Sequence, residues 1–258
     1  METTIECSDL DFAYDGSEVL TGINLSLGHG KMFGILGANG AGKSTLLKVV
    51  SGILKVQKGK VLYNGKPVSG FDRRELAKKI AYIPQDPVFA FPFTVSEVLL
   101  MGRAPYIGRF EFERDTDRTI AEAAMETVGI SHLQHRLITE ISSGERQLAS
   151  IARALVQEPE VMLLDEPATF LDIRHRTEIM KILKRLKEER DILIIAATHD
   201  IFTALFHFDE IIMIKGGKIF AEGSTDDVVN RENLSFLYDT DVSVRKENGN
   251  IFVYPTES

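Results

Sequence analysis

At 258 residues, 44% hydrophobic and 26% charged, the chain has the length and composition of a folded α/β domain. A net charge of −8 argues against a general nucleic-acid binder. The single cysteine, Cys7, excludes a disulfide framework, a thiolate metal cluster and a C-x-x-C redox pair, and points to a reducing compartment.

The N-terminus, METTIECSDLDFAYDG, has no signal-peptide core. Residues 4–27 alternate as short β segments about a turn at Asp15-Gly16, which predicts an antiparallel meander. KMFGIL (31–36) reads as a buried strand running into the glycine-rich GANGAGKST, after which Leu46, Leu47, Val49 and Val50 turn the pattern helical. KVLY and KIAYIP are further strands, with a turn at NGK between them. From about 86 to 159 strand signals give way to helical ones. The last of these helices starts at ISSGERQ, with an apolar stripe of Leu148, Ile151, Ala152, Leu155 and Val156. Strands return at VMLLDEP and ILIIAATHD, with a long helix between them over 172–189. The apolar run at 192–197 is far too short to span a membrane, so any membrane role is expected to run through a partner. EIIMIKGGKIFAEG predicts a hairpin about Gly216-Gly217, and VSVRKENGNIFVYP another about Asn248-Gly249.

The chemistry sits at strand ends. Gly37-Ala38-Asn39-Gly40-Ala41-Gly42-Lys43-Ser44 fits G-x-x-x-x-G-K-[ST] between a strand and a helix. Its backbone N–H groups can wrap phosphates, Lys43 can reach the β and γ oxygens, and the Ser44 hydroxyl can ligate Mg²⁺. Asp165 and Glu166 end an apolar strand, where open α/β sheets place ligands. Asp165 suits a metal held through water, and Glu166 suits the polarisation of an attacking water. Taken alone, such acids also end strands merely because they are soluble there. His199 ends the next apolar strand on the same edge, a position that favours function where a lone His is more often structural; Gln85 ends another strand, where its amide can touch both a metal and a water or be an ordinary surface residue. Tyr14 could stack on a base or serve as core. Ser142 with Glu145 fits a capping box, and the two serines and Gly144 at that helix start also make an anion site.

These motifs, in this order and with TFLD between Glu166 and His199, resemble the nucleotide-binding subunit of an ABC transporter from about Thr4 to Val229. The resemblance implies a P-loop NTPase core, a RecA-like mixed α/β sheet, with an N-terminal antiparallel β meander and an inserted α-helical subdomain. The expected division is 1–85 and 159–230 as catalytic core, 86–158 as helical signature subdomain and 231–258 as C-terminal tail. It implies ATP hydrolysis with ATP and Mg²⁺ as cofactors. Gln85, Lys43, Glu166 and His199 would be catalytic, and Ser44, Gln85 and Asp165 would serve the metal. Nucleotide would be held by Tyr14 on the adenine, by Gly37, Asn39, Gly40, Ala41, Gly42, Lys43, Ser44 and Thr45, and across a dimer interface by Asp172 and by Ser142, Ser143, Gly144 and Glu145. In that family ISSGERQ is the signature motif, which faces the ATP of a second copy. The motif departs from the usual pattern at Ile141 and Ser143, and Ala168 departs after the strand-end proline.

The resemblance further implies a homodimer on the cytoplasmic face of the membrane, peripheral, with polytopic permease subunits, indirectly a solute-binding protein, and no nucleic acid. Phe89, Phe91, Phe93, Ile107 and Phe110 follow no clear period. They either pack the insertion on the core or form a groove for a membrane-subunit helix. TVSEVLLMGRAPYIG is most similar to importers of iron–siderophore, haem and cobalamin. Zinc, manganese or molybdate import, and a soluble ATPase of Fe–S assembly, are the alternatives.

Overall fold

The computed structural model describes residues 4–87, 89, 91–108, 111–169, 171–247 and 250–256. Phe110, Phe170 and the Asn248-Gly249 turn lie outside them.

β1 (Thr4–Tyr14) and β2 (Ser17–Gly28) pair antiparallel. Asp15 and Gly16 between them both take positive φ, the geometry that matches strand twist in a tight hairpin. β3 (Met32–Leu36) feeds the phosphate loop and α1 (Lys43–Val50). β4 (Lys58–Tyr63), β5 (Lys66–Pro67) and the short α2 (Arg73–Ala77) follow, then β6 (Ile80–Ile83). Next come three helices, α3 (Val95–Leu100), α4 (Asp115–Val128) and α5 (Ser143–Val156). The chain then alternates as β7 (Val161–Asp165), α6 (Ile173–Arg190), β8 (Leu193–Thr198), α7 (Ile201–His207) and β9 (Glu210–Lys215). It closes with β10 (Lys218–Ser224), α8 (Thr225–Val228), α9 (Arg231–Tyr238) and the hairpin β11 (Val242–Glu247) and β12 (Asn250–Pro255).

The central sheet runs β10-β9-β3-β8-β7-β6. All its pairings are parallel except β10 on β9, which makes it the expected mixed sheet. A second, antiparallel sheet runs β2-β1-β4-β5.

Strand parity divides the core in two. Met162 and Leu164 of β7, and Ile194 and Ala196 of β8, join the helices α3–α6. Val161, Leu163, Leu193 and Ile195 join the antiparallel sheet and α1. Strands buried on both faces give the unbroken apolar runs seen in the sequence. Gly34 in β3 is the exception among bulky neighbours, because a Cβ there would lie 2.3 Å from the Phe208 ring. Five stripe residues of α5, from Leu148 to Val156, are buried as their spacing predicts. Among the described residues no helix is long and apolar enough to cross a membrane.

Candidate functional site

The parallel strands deliver the motifs to one sheet edge. β3 ends at Leu36 and the chain turns through Gly37–Gly42 into α1. The glycines are needed for two different reasons. A Cβ on Gly37 would sit 2.6 Å from the Ile214 carbonyl oxygen, whereas Gly42, capping α1, holds a left-handed φ of 104°. Among the described residues no side chain caps α1, which leaves its first N–H groups for another acceptor beside the exposed tip formed by Ala38, Asn39 and Gly40. Ala41 and Thr45 are buried, and the Ala41 carbonyl accepts from Gly217 N, tying the loop to the β9–β10 turn.

Lys43 is buried and donates to the Gly37 and Ala38 carbonyls at 2.8 and 3.0 Å. Burial lowers its pKa, partly offset by the Glu166 and Asp165 carboxylates nearby. Ser44 donates to Asp165 Oδ1 at 2.8 Å, and the Tyr82 hydroxyl donates to Asp165 Oδ2 at 3.1 Å. Burial, then the Asp165 charge, pushes the Tyr82 hydroxyl well above the usual phenol range, so it remains a donor. Tyr14, half exposed at the end of β1, packs edge-to-face on Phe12 with ring centroids 4.9 Å apart.

Glu166 is the point of convergence. Its Oε2 lies 2.9 Å from His199 Nδ1 and accepts from Thr169 Oγ1 at 2.9 Å and from Gln85 Nε2 at 3.3 Å. Its Oε1 is 3.6 Å from Lys43 Nζ. Burial opposes its charge, but the hydrogen bonds of His199 and Thr169 and the charges of His199 and Lys43 outweigh burial and hold the carboxyl below its usual range. Its backbone is left-handed, with φ of 48°, which is uncommon for a glutamate.

Ser142 caps α5 in a reciprocal capping box. Glu145 N donates to Ser142 Oγ at 3.3 Å, and Ser142 N donates to the Glu145 carboxylate at 2.7 Å. Ser143, the first helical residue, is exposed and is not among the residues of positive φ. It shares a cavity of about 200 Å³ with Gln85, Gln147 and Glu166. Gly144 is buried, and a Cβ on it would stand 2.6 Å from the His175 ring. Asp172 caps α6, accepting from His175 N at 2.8 Å, and its Oδ1 lies 2.9 Å from His175 Nδ1.

The structure thus brings Lys43, Ser44, Gln85, Asp165, Glu166 and His199 into a network of two adjoining parts, Lys43, Gln85 and His199 about Glu166 and Ser44 about Asp165. Within this chain Tyr14, Asp172 and the signature residues make no hydrogen bond to that network among the described residues. Thr169, which opens the TFLD motif, and Tyr82, which carries no motif, belong to it as well. Only strand parity hints at Tyr82, since its neighbours Ala81 and Ile83 both face the helical core and leave it on the opposite face.

Of the candidate groove, Phe89 and Phe93 pack on the helical core, whereas Phe91 is 65% exposed. Phe93, Leu100, Met101 and Ile107 line an opening of about 590 Å³ with Glu97, Glu113 and Arg118 on it.

The profile of the ABC transporter family matches residues 20–169. An uncharacterised ABC transporter ATP-binding protein of Methanocaldococcus jannaschii is 38% identical over 246 residues, 95% of either chain. The hemin import ATP-binding protein of Bradyrhizobium diazoefficiens is 34% identical over 99% of this chain and 96% of its own. Among solved structures, an ABC transporter of proposed metal-chelate type in an inward-facing conformation superposes with a TM-score of 0.86 at 26% identity, covering 100% of this chain and 98% of that one. The dimeric structure of a bacterial ABC transporter cassette superposes with a TM-score of 0.74 at 27% identity, over 85% of this chain and 98% of the other. A strand-end glutamate facing a phosphate loop, carried on a sheet of this order and matched along nearly its whole length, makes this chain an ATP-binding ATPase of the ABC transporter family.

Proposed function

We propose that the protein is the ATPase subunit of an importer, a homodimer peripheral to the cytoplasmic face of the membrane. It would energise uptake of an iron complex (siderophore or haem) or cobalamin through polytopic permease subunits, fed by a solute-binding protein. The observation that carries the catalytic reading is the convergence of Lys43, Gln85, Thr169 and His199 on the one carboxylate of Glu166. The import reading is supported by the half-apolar opening beside Phe93 and by likeness to a hemin import subunit and a metal-chelate type transporter.

On this reading the loop N–H groups and the first turn of α1 hold the phosphates, and Lys43 turns from the loop carbonyls towards them. Ser44 and Asp165 offer a hydroxyl beside a carboxylate, all oxygen, and Gln85 approaches from the next strand; this donor set suits Mg²⁺, which when bound offsets phosphate charge. Glu166, kept ionised by its neighbours, orients the attacking water. His199 steadies Glu166 and donates towards the γ-phosphate. Tyr14 supports the adenine. The outward Ser142 and Ser143, with Gly144 and Glu145, grip the ATP of the second copy, and Asp172 crosses between the two.

The test is assembly. The chain should co-purify with a polytopic membrane subunit, and its ATP turnover should rise when a loaded solute-binding protein is added. A chain that purifies alone, with turnover indifferent to any membrane subunit encoded beside it, would sink the importer reading.

A further inference from the structure

Three successive carbonyls at the end of β8 are claimed by three different parts of the chain. Ala197 O accepts from Glu166 N at 3.0 Å, and Thr198 O from Gly37 N at 3.3 Å. His199 O accepts from the hydroxyl of Tyr238, the last residue of α9, at 3.1 Å. The first two bonds tie β8 to the backbone of Glu166 and to the phosphate loop. The third reaches out of the sheet to a segment with no motif.

The next residue is held firmly. Asp200 Oδ2 accepts from Arg176 Nη1 at 2.5 Å and Thr203 Oγ1 at 2.8 Å, and Asp200 N donates to Thr198 Oγ1 at 3.0 Å. Beside the His199–Asp200 peptide the packing is open. A cavity of about 720 Å³ lies between residues 198–203 and the tail, lined on the tail side by Tyr238, Val242, Val253 and Tyr254. With space on one side, contact packing alone cannot fix that peptide: its N–H is held by Thr198 Oγ1 from within the loop, and its carbonyl is held by Tyr238 from the tail. Burial pushes the Tyr238 hydroxyl up to about 12, so it is a donor at every working pH.

We propose that Tyr238 is a positioning residue for hydrolysis: its hydroxyl fixes the carbonyl of His199, and so the backbone from which the His199 ring reaches Glu166. Segment 231–258 thereby governs turnover without touching nucleotide. The inference rests on the role proposed above for His199.

Tyr238→Phe keeps the ring and removes only the donor. In the full chain, kcat should fall about 2- to 10-fold, the worth of one hydrogen bond, while KM and nucleotide affinity stay unchanged because the phosphate loop is intact. In a His199→Ala background the same change should have no further effect on single-turnover hydrolysis. A tyrosine that merely holds the tail predicts a lower Tm with unaltered kcat, and that result would overturn the inference. An equal loss in both backgrounds would also overturn it, since the effect would not pass through His199. His199→Ala alone shows which idea fails: full turnover removes the role of His199 and the inference with it, whereas a crippled His199→Ala beside a normal Tyr238→Phe removes the inference alone.

Discussion

Glu166 is held where few glutamates sit, in the left-handed region at φ 48°, a conformation that costs on the order of 1 kcal/mol or more without glycine. The surrounding bonds over-determine it: its N–H goes to Ala197 O and its carboxylate to His199 and Thr169. Glu166→Gln keeps the shape and the backbone but abolishes the charge. It should retain ATP binding, lose hydrolysis by roughly 10²–10⁴-fold, and accumulate as a dimer on size-exclusion chromatography with ATP and Mg²⁺. A monomeric variant, or one with near-normal turnover, would count against Glu166 as the residue that activates water. The acidic pair itself is legible in the sequence because it ends an apolar run. Tyr82 is not, because in IAYI it reads as one more buried residue, and its partner Asp165 lies 83 positions away.

α5 and α6 begin against each other. The space where a Cβ on Gly144 of α5 would stand is taken by the His175 ring, and that ring is held by Asp172, the cap of α6. Gly144→Ala asks nothing unusual of the backbone, but its methyl displaces the ring and breaks the Asp172 contact. We expect a Tm lower by roughly 2–8 °C, from overpacking of about 1–2 kcal/mol, and recovery of most of it in Gly144→Ala/His175→Ala. Thermal melts of the two singles and the double decide this; additive losses would show that the ring is not the obstacle. At this scale the sequence is most readable, because a parallel strand buried on both faces is a continuous apolar run and α5 is a clean stripe. α9 escapes it: with only Leu234 and Leu237 fully buried over two turns, its period is too short to stand out, although Asn230 caps it by accepting from Asn233 N.

At the scale of the assembly, the two exposed roles proposed for this chain separate cleanly. Phe91 is exposed while Phe93 packs on the helical core, so the same substitution has opposite meanings at the two sites. Phe91→Asp should leave folding and basal ATPase unchanged, and lose stimulation by, or assembly with, the membrane subunits. Phe93→Asp should lower the Tm by roughly 5–15 °C as a charge is forced against apolar side chains. A destabilised Phe91→Asp subunit would remove the groove. For the dimer, Lys43→Ala and Ser142→Arg should each be inactive. Mixed together, they leave one interface with an intact Lys43 facing an intact Ser142, and ATPase activity should partly return; no recovery on mixing would tell against action in trans. The partition of β7 between two cores also bears on how such a chain can change through descent. Substitutions in β7 alter one core at a time, but losing or gaining a single residue there would exchange the cores for every side chain at once and carry Asp165 and Glu166 off the sheet edge. Length in β7 is therefore far less free to drift than composition, while the exposed residues 111–113 ahead of α4 can take an insertion with little penalty.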